Sequence, residues 1–578
     1  VGKTAIIMGK LRSLGEDFMH SVINVNYYTN FNSLMKQLEG PLEKKAGKNF
    51  GPPGNKKLIY FVDDLNMAAL DKYNTATNIS LMRQHMGYGH IYDLNKLTQK
   101  VLMNTQYLSS MNPTAGSFVI NPRLQRLFAA FAIGFPSAES LNTIYSTFLA
   151  GHLKTFSAEV IDQCKKVVQA ALMLHKRVAG QFRKTAFNFH YEFNIRHMAG
   201  VFQGMLMSKP EQIPDSLKLV QLWLHESERT YCDRLVNLMD AKKYKELALE
   251  QAKKYFKELS PTQLTAEPLI FSHFAQGVGD KIYDRVTTFA DLSSLLTGAL
   301  GEYNETNAVM DLVLFEDAMR HVARISRIIE SPGGHALLVG VGGMGKQSLS
   351  KLATYVNQFA VFQIVISATY GVNDLRNDLQ IMYRRAGIKG EGMSFLFTDS
   401  QITDEKFLVF MNDLLSSGNI PGLFPPEDMD DIINAVRPAV KRSGIPDTRD
   451  NCWDYFINEV RTNLHVILCF SPIGDPIRVR ARRFPSLVNC VVIDWFQPWP
   501  EDALLSVSKR FLDPVDLGSE EQKQSVIQFM PYSFLSVEKM SASYLAAEGR
   551  FNYTTPKSFL ELISLYTVML NARRSETD

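Results

Sequence analysis

A glycine-rich loop near the middle of the chain restricts the possible folds more than any other feature. Residues 335–348 read His-Ala-Leu-Leu-Val-Gly-Val-Gly-Gly-Met-Gly-Lys-Gln-Ser, an apolar run that leads through four glycines to a lysine. Glycines let backbone N–H groups close around an anion, a helix N-terminus favours negative charge, and the lysine reaches the outer phosphates. The pattern therefore predicts a strand, a phosphate-binding loop and a helix. Its candidate nucleotide-binding residues are Gly340, Gly342, Gly343, Gly345, Lys346, Gln347 and Ser348.

The first residues of the chain look like the end of a second loop of this kind. Gly2, Lys3 and Thr4 are candidate nucleotide-binding residues, and the Thr4 hydroxyl is a candidate Mg²⁺ ligand. A glycine-rich turn without a ligand is the alternative, and it is harder to dismiss for this short match than for the longer loop. Because the sequence begins inside a motif, we expect it to be a segment of a longer protein.

A dinucleotide-binding fold is the main alternative for the longer loop. Gly340, Gly342 and Gly345 also fit the spacing G-x-G-x-x-G, which requires an acidic residue roughly 20 positions further on. Residues 360–367 read Ala-Val-Phe-Gln-Ile-Val-Ile-Ser and contain no acid. The nicotinamide interpretation is therefore disfavoured.

Composition indicates an ordinary multidomain protein. The 578 residues suggest roughly four domains, and the net charge of +3 gives no general attraction to nucleic acid or membrane. Five cysteines without pair spacing argue against disulfides and zinc, and favour a reduced, cytosolic compartment. The longest apolar stretch, 127–135, is far shorter than the ~20 residues of a membrane span.

Five features recur in the same order in the two halves of the chain. In the first half they are the loop lysine Lys3, a strand ending in acids at 58–64, a polar-tipped strand at 107–112, the pair Arg123 and Arg126, and a strand at 128–135. In the second half they are Lys346 and the corresponding stretches 393–400, 466–471, 478–483 and 488–496, with an insertion near 425–431. The repeat predicts two copies of one α/β nucleotide-binding module with a parallel sheet. Helical patterns over 150–275 and after 512 predict helical lids.

The recurring parts are those of a nucleoside triphosphatase that uses ATP and Mg²⁺. In the first copy, Lys3 would bind the β and γ phosphates, and Thr4 and Asp63 would hold Mg²⁺. Asp64 is the candidate base that polarises the attacking water, and Asn112 is the candidate sensor at the next strand tip. A solvated turn after a strand is the alternative for the two acids.

The second copy departs from this pattern twice. Gln347 replaces the hydroxyl residue that follows the lysine, so the Mg²⁺ hydroxyl is either missing or comes from Ser348, one position later. Ser400 stands where the catalytic carboxylate is needed. Asp399 remains a candidate Mg²⁺ ligand, and Ser471 is the polar strand tip. Because a serine hydroxyl cannot accept the proton of water at neutral pH, we expect binding without turnover. Asp404 and Glu405 lie nearby, but we expect a helix to carry them away.

Arginines three positions apart suit fingers that one module inserts into the phosphate site of its neighbour. The pair Arg123 and Arg126 and the pair Arg480 and Arg483 both have this spacing. A nucleic-acid patch is a weak alternative, since no aromatic residues are interleaved and the chain is not basic overall. Salt-bridged surface arginines are the other alternative.

Together these residues resemble the dynein heavy chain family, over essentially the whole chain. The most specific stretches are 110–118, 121–126, 310–319, 338–348 and 494–500. They are similar to the third and fourth AAA+ modules of the motor ring. Asp399-Ser400-Gln401 is similar to the axonemal branch, and 47–54 to outer-arm chains of the β type.

The resemblance implies an α/β fold of two tandem AAA+ modules, each a P-loop parallel-sheet large domain followed by a small helical lid domain. The expected domains are a truncated first large domain at 1–148, its lid and linker at 149–280, the second large domain at 281–512, and a second lid at 513–578 cut before the stalk. It further implies that Arg196 and Lys557 are the second sensors of the two modules, and that the first module is a regulatory site. By the same resemblance, Arg480 and Arg483 would face the nucleotide of the first module, whereas Arg123 and Arg126 would face a preceding module. Ala68 and Ala69 depart from a proline often found after Met67, which leaves the path of that loop open.

The family also implies partners and a location. The expected partners are the other AAA+ modules of the same heavy chain, microtubules through a stalk outside this sequence, and intermediate, light and other heavy chains through a tail. The expected location is the cytoplasm, the cytoskeleton and the axoneme of cilia and flagella, in a minus-end-directed motor. Two alternatives stay open: a nucleotide-locked half-ring without turnover, and another multi-module AAA+ remodelling ATPase such as the six-module ribosome-maturation factor.

Overall fold

Buried apolar strands that end in acidic or polar residues form the centre of each sheet. The computed structural model of the protein describes residues 2–112, 120–367 and 369–577. These residues divide into two units. Unit 1 is Val1–Ser137 with Thr403–Leu423 and Arg478–Asn489, and unit 2 is the remainder of the chain.

The first stretch of the chain alternates helices and strands. Its elements are α1 (Lys3–Arg12), β1 (Phe18–Asn24), α2 (Phe31–Glu39), β2 (Glu43–Lys44), β3 (Asn49–Gly51), β4 (Lys57–Asp63), α3 (Thr77–Tyr88), β5 (His90–Tyr92), β6 (Gln99–Leu102), β7 (Thr105–Ser109) and α4 (Pro122–Gln125). A helical segment follows, made of α5 (Ala138–Leu153), α6 (Ala158–Gln181), α7 (Ile195–Met205), α8 (Ser216–Ser227), a π-helical turn (Glu228–Cys232), α9 (Leu238–Tyr255) and α10 (Pro261–Leu264).

The second half repeats the alternation. Its elements are β8 (Phe271–Ser272), β9 (Asp284–Arg285), α11 (Phe289–Thr306), α12 (Glu316–Glu330), β10 (Ala336–Val339), α13 (Lys346–Val356), β11 (Ala360–Gln363), α14 (Val372–Ile388), β12 (Met393–Thr398), a 3-10 turn (Asp399–Gln401), α15 (Phe407–Ser417), α16 (Pro426–Arg442), α17 (Arg449–Asn463), β13 (Leu464–Phe470), α18 (Pro476–Arg483), α19 (Ser486–Asn489) and β14 (Val492–Trp495). The chain then continues through α20 (Glu501–Leu512), α21 (Glu520–Glu548) and α22 (Pro556–Thr577).

The sheet of unit 2 has the strand order β11-β12-β13-β10-β14, and every pairing is parallel. All residues of β12 and β13 are buried, which is the pattern of central strands covered by helices on both faces. The sheet places the loop after β10 and the acid after β12 at one edge, because the carboxyl ends of parallel strands lie on the same side.

The parallel sheet of unit 1 has the order β1-β4-β7, which matches β11-β12-β13. A separate four-stranded sheet, β2-β3-β6-β5, lies in the same unit. The core under the parallel sheet includes Leu58, Tyr60 and Val62 of β4. Unit 2 has separate hydrophobic cores. One is formed by buried residues between 141 and 283, another lies beneath the five-stranded sheet, and another lies among α20–α22.

The predicted strand at 128–135 is wrong. Residues 129–137 have no regular structure, and Phe131 is 88% exposed. In unit 2 the corresponding strand, β14, pairs only with β10, the strand that enters the phosphate loop. A strand needs a neighbouring strand to satisfy its backbone groups, and among the described strands none pairs with residues 129–137.

Other predictions at this level are close to the structure. The strand expected at 21–27 lies at 18–24. Of the strand expected at 488–496, residues 488–489 belong to α19 and residues 492–495 form β14. The helices expected near 160–172 and 238–255 are α6 and α9. Within the described ranges no helix is long and apolar enough to cross a membrane. The five cysteines are free thiols, four of them buried.

Candidate nucleotide-binding sites

The first candidate site lies at the carboxyl edge of the β1-β4-β7 sheet. β4 ends at Asp63, which pairs in register with Asn24 at the end of β1. Ser110 follows β7, and its backbone N–H donates to the Val62 carbonyl at 2.9 Å. Three strand ends therefore converge beside the N-terminus of α1.

Thr4 and Asp63 meet at this edge. Thr4 Oγ1 donates a hydrogen bond of 2.7 Å to Asp63 Oδ2. The Ser110 hydroxyl donates to the other oxygen, Oδ1, of the same carboxylate. Gly2 precedes α1 with φ 71°, a left-handed conformation that glycine adopts without strain, and Lys3 is the first residue of the helix.

The adjacent hydroxyl and carboxylate oxygens fit Mg²⁺, which prefers oxygen ligands and keeps part of its water shell. Among the described residues there is no cluster of three or more His, Cys, Asp or Glu side chains that would suit another metal. A metal at this edge would therefore rely on the Thr4–Asp63 pair, water and substrate phosphates.

Asp64 follows in a tight turn. It is exposed, has φ 54°, and its backbone N–H donates to Asp63 Oδ1 at 3.1 Å. Aspartate is one of the few residues that tolerate this backbone region. The buried Asn66 then donates from Nδ2 to the Asn112 carbonyl at 2.9 Å, which ties the turn to the predicted sensor.

The alanines after Met67 have a definite role in this loop. Ala68 is buried, and the Ala69 N–H donates to the Tyr27 carbonyl at 2.9 Å. A proline at position 69 could not donate that bond. The loop after the acids is thus joined to the loop after β1.

Arg483 also lies in unit 1, on the segment 478–489. Its guanidinium carbon is 4.9 Å from the centroid of the Tyr27 ring, and its Nη1 donates to Glu405 Oε2. Tyr28 donates to the same oxygen at 2.8 Å. Burial and this hydrogen bond raise the pKa of Tyr28 to about 12. Arg480 is half-buried one turn earlier, and its carbonyl accepts from the Phe484 N–H.

The second candidate site lies in unit 2, at the end of β10. Gly340 is closely packed, since a methyl group there would lie 2.8 Å from Phe496 Cβ and 2.9 Å from Met344 Sδ. Gly343 and Gly345 have φ 83° and 79°, and Gly345 precedes α13 as Gly2 precedes α1. Lys346 is the first residue of α13.

Lys346 is folded back onto its own loop. Its Nζ donates to the carbonyls of Gly340 at 2.6 Å and Val341 at 2.8 Å. Burial lowers the pKa of Lys346. The lysine thus fills the centre of the loop, where an anion would compete with the two carbonyls for it.

The acid of the second site is arranged differently from Asp63. Asp399 Oδ2 accepts a hydrogen bond from the Ser471 backbone N–H. Gln347 Oε1 accepts from Gln363 Nε2 at 3.3 Å, and the Ser400 and Thr398 hydroxyls are 3.0 Å apart. Position 347 therefore has no hydroxyl equivalent to that of Thr4. Without it, Asp399 fits Mg²⁺ less well than the Thr4–Asp63 pair does.

A cavity of about 730 Å³ opens beside this loop. Residues 342–349 line one side, together with Thr398, Asp399, Ser400 and Ser471. Leu312, Val313, Phe315, Trp499 and Leu560 form an apolar wall. Glu228, Asp233 and Lys245 of the helical segment 138–266 also line it. Its size and its mixture of apolar and polar walls suit a nucleotide.

A buried ion network joins that helical segment to the second module. Asp494 accepts from His321 Nδ1 at 2.6 Å and from Arg324 Nη1 at 2.9 Å, and Arg324 Nη2 lies 3.2 Å from Asp233. Burial alone would raise the pKa of Asp494, but His321 and Arg324 bring it below its usual value.

The two predicted second sensors occupy different surroundings. Arg196 is near the start of α7 and its Nη1 lies 3.9 Å from Cys490 Sγ. The backbone of Lys557, at the start of α22, packs against Gly343 of the phosphate loop. The Lys557 side chain is 70% exposed, and its Nζ lies 3.6 Å from Glu561.

Sequence reasoning missed several residues at these edges. Ser110 directly follows β7, so its place on Asp63 could have been read from the strand end. Tyr27 and Tyr28 follow β1 in the same way. Asp404 and Glu405 were expected on a helix, but they lie in a turn before α15. The contact of Glu405 with Arg483 carried no sequence signal, because it depends on how the segment 403–423 packs. Arg123 and Arg126, the two arginines expected to face a preceding module, are exposed.

Family models match three parts of the chain. A model described as "P-loop containing dynein motor region D4" matches residues 310–569, and one described as "P-loop containing dynein motor region" matches 1–136. A model described as "AAA+ lid domain" matches 167–266. The predicted fold class, AAA+ modules with parallel P-loop sheets and a helical lid, is confirmed.

Several full-length relatives are similar to the whole chain. The "Dynein alpha chain, flagellar outer arm" of Chlamydomonas reinhardtii is 57% identical over 99% of this chain and 13% of its own length. The "Dynein beta chain, ciliary" of Tripneustes gratilla and the "Dynein axonemal heavy chain 17" of Homo sapiens are each 51% identical over 100% of this chain and 13% of their own lengths. The chain thus spans about an eighth of these relatives, which include both α and β types.

The predicted resemblance is confirmed by two independent kinds of match. The motor-region models cover both phosphate loops, and the relatives named for cilia and flagella match the chain from end to end. This chain belongs to the family of axonemal dynein heavy chains.

Proposed function

We propose that the chain supplies two nucleotide-binding modules of a dynein motor ring. The first module binds and hydrolyses ATP with Mg²⁺ as a regulatory site. The second binds ATP or ADP with little or no hydrolysis. Membership of a P-loop ATPase family supports nucleotide binding in general, and the assignment to individual modules rests on their geometry.

One contact carries this proposal. Thr4 Oγ1 lies 2.7 Å from Asp63 Oδ2 in the first module, whereas the second has Gln347 after its lysine and Ser400 after its acid. Bound Mg²⁺ would neutralise charge on the β and γ phosphates. The first module has the oxygen pair to hold it.

The remaining residues of the first module have separate tasks. Gly2 and Lys3 bind phosphate oxygens, and Asp64 orients the attacking water and accepts its proton. Asn112, anchored through its carbonyl by Asn66, lies at the tip where a sensor contacts the γ phosphate. Arg480 and Arg483 stabilise negative charge in the transition state.

The second module has residues for binding without a base. The glycines of the loop, Lys346 and Ser348 bind phosphates, and Ser471 holds Asp399 through its backbone. When a nucleotide binds, Lys346 exchanges the carbonyls of Gly340 and Val341 for phosphate oxygens. Ser400 cannot accept a proton from water at neutral pH. Arg196 and Lys557 act as the second sensors of the first and second modules.

The names of the relatives support the wider function that we propose, since they are called flagellar outer-arm, ciliary and axonemal dyneins. The whole protein is a minus-end-directed microtubule motor of the ciliary axoneme. Its partners are the other AAA+ modules of the same chain, microtubules through the stalk, and intermediate, light and other heavy chains through the tail. The matches to dynein motor-region models argue against the alternative that the chain is a protein-remodelling ATPase of another family.

The decisive experiment is a density map of the full heavy chain after turnover of ATP, at a quality that separates two phosphates from three. ADP beside Lys3 and ATP beside Lys346 are expected. The matched variants Lys3→Ala and Lys346→Ala should each empty one site alone. ATP retained at both sites would mean a nucleotide-locked structural element and would overturn hydrolysis by the first module.

A further inference from the structure

Arg483 lies at the same sheet edge as the Thr4–Asp63 pair. Its guanidinium is stacked on Tyr27, three residues beyond the end of β1. The first residue after that strand, Val25, donates its N–H to the Asp63 carbonyl at 3.0 Å. The Tyr27 loop therefore starts at the metal-binding acid.

Two groups fix the guanidinium in this place. The Tyr27 ring covers one face, and Glu405 accepts a hydrogen bond from Nη1. Tyr28 donates to the same Glu405 oxygen at 2.8 Å, and its ring stacks on Phe484, the residue after Arg483, at a centroid distance of 5.9 Å. Because Tyr28 fixes the Glu405 carboxylate, that carboxylate restrains both the position and the orientation of the Arg483 guanidinium.

The restraint leaves part of the arginine available. Within the described part of the chain, Nε and Nη2 of Arg483 make no hydrogen bond. A planar guanidinium that is stacked on one face and bonded at one end presents its other donors in a fixed direction. Such a group can bind a phosphate oxygen without first losing the freedom of a long side chain.

We propose that Glu405 is a positioning residue for Arg483 at the first nucleotide site. This inference rests on the proposed hydrolysis by the first module. Glu405 follows the acid strand of the second module, five residues after Ser400, which stands in place of the catalytic base. Its carboxylate instead orients an arginine that acts on the nucleotide held by Lys3. The second module thus contributes a pair of residues to hydrolysis by the first.

The test uses the full heavy chain with every phosphate-binding lysine except Lys3 replaced by alanine, so that phosphate release reports the first site. Glu405→Gln keeps the shape of the side chain and removes its charge. It should lower kcat about 10- to 100-fold, the usual cost of a misplaced catalytic group, and leave KM unchanged. Asp404→Asn is the matched control, because Asp404 is the neighbouring acid, pairs with Lys406 and is not bonded to Arg483.

A double-mutant cycle separates positioning from a general structural effect. Arg483→Ala should lower kcat more than Glu405→Gln does, and Glu405→Gln should add nothing in the Arg483→Ala background. A kcat for Glu405→Gln equal to or above that of the parent, an effect on KM alone, or full additivity with Arg483→Ala would each overturn the inference.

Failure of the proposed function gives a different result. If Arg483→Ala leaves kcat unchanged, Arg483 does not act at the first site. If the parent chain releases no phosphate, the first module does not hydrolyse ATP. Either result overturns the function and this inference with it, whereas a slow Arg483→Ala with a normal Glu405→Gln overturns the inference alone.

Discussion

Thr4 Oγ1 donates a 2.7 Å hydrogen bond to Asp63 Oδ2 although the residues are 59 positions apart in the sequence. The bond joins the start of α1 to the end of β4. It places a hydroxyl and a carboxylate where one Mg²⁺ ion would need both. The second module has no equivalent hydroxyl at Gln347.

Removal of the Thr4 hydroxyl should weaken the binding of Mg²⁺ at the first site. Thr4→Ala in the chain with only the Lys3 loop intact should require about 10- to 100-fold more Mg²⁺ for half-maximal phosphate release, the range typical for altered metal sites. Thr4→Ser retains the hydroxyl and should behave like the parent. An unchanged Mg²⁺ titration for Thr4→Ala would show that Asp63 needs no hydroxyl partner.

A methyl group on Gly343 should separate the second phosphate loop from α22. It would lie 2.6 Å from the Lys557 backbone nitrogen, and Gly343 has φ 83°. Overpacking of this kind costs ~1–3 kcal/mol, so Gly343→Ala should speed hydrogen exchange at the start of α22. Gly342→Ala is the control for exchange, since open space surrounds that position. Equal exchange in the two variants would contradict the contact.

Asp413 should make stability depend on pH. Burial raises its pKa to about 7 from 3.8 although hydrogen bonds from Asn412 and Asn26 lower it, and its Oδ1 has no partner among the described residues. The folded carboxyl therefore stays protonated while the unfolded one ionises, and stability falls as pH rises from about 4 to 7. Asp413→Asn should be stabilising above pH 7, by at most about 4 kcal/mol, and nearly neutral at pH 4. Urea unfolding at both pH values measures the difference.

The control for Asp413 is Asp404→Asn, at the exposed end of the same segment. Its effect on unfolding should be small at either pH. If Asp413→Asn shifted stability equally at pH 4 and pH 8, ionisation of Asp413 would not be the cause.

Ala69→Pro should loosen the loop beside Tyr27. The substitution removes the N–H that bonds to the Tyr27 carbonyl, at a cost of about 1 kcal/mol. Ala69→Ser retains the N–H and is the control. Hydrogen exchange over residues 25–30 should increase for the proline variant alone, and equal protection in both would show that the bond is dispensable.

The buried pair of Glu226 and Arg327 should be sensitive to loss of one partner. Glu226 is fully buried and accepts hydrogen bonds from Arg327 and from the Tyr283 hydroxyl. Glu226→Ala leaves a buried cation unpaired, so it should cost about 3–5 kcal/mol. Glu576→Ala removes an exposed partner of Arg573 and should cost below about 1 kcal/mol. Similar losses of unfolding free energy in both variants would contradict this difference.

The sequence was informative wherever local pattern decides structure. The apolar runs before Asp63 and Asp399 are parallel strands, and Lys3 and Lys346 each begin a helix after a left-handed glycine. Those features depend on neighbours along the chain. Residues 128–135 also have an apolar pattern, but a strand needs a pairing partner, and none of the described strands pairs with this stretch.

The other residues that the sequence did not predict depend on long-range packing. Glu405 reaches Arg483 because the segments 403–423 and 478–489 pack together in unit 1. Ala69 matters through its backbone N–H, which composition cannot reveal. The cavity beside Lys346 takes Glu228 and Lys245 from a helical segment that precedes the loop by about a hundred residues.

The make-up of unit 1 has an evolutionary consequence. Two stretches that belong to the second module by sequence, 403–423 and 478–489, fold with the first. A recombination event that replaced only one of the two modules would place Glu405 and Arg483 beside a tyrosine loop from a different protein. We therefore expect the two modules to be inherited together, and a change at Tyr27 or Tyr28 to select for a compensating change roughly four hundred residues later, at Glu405 or Arg483.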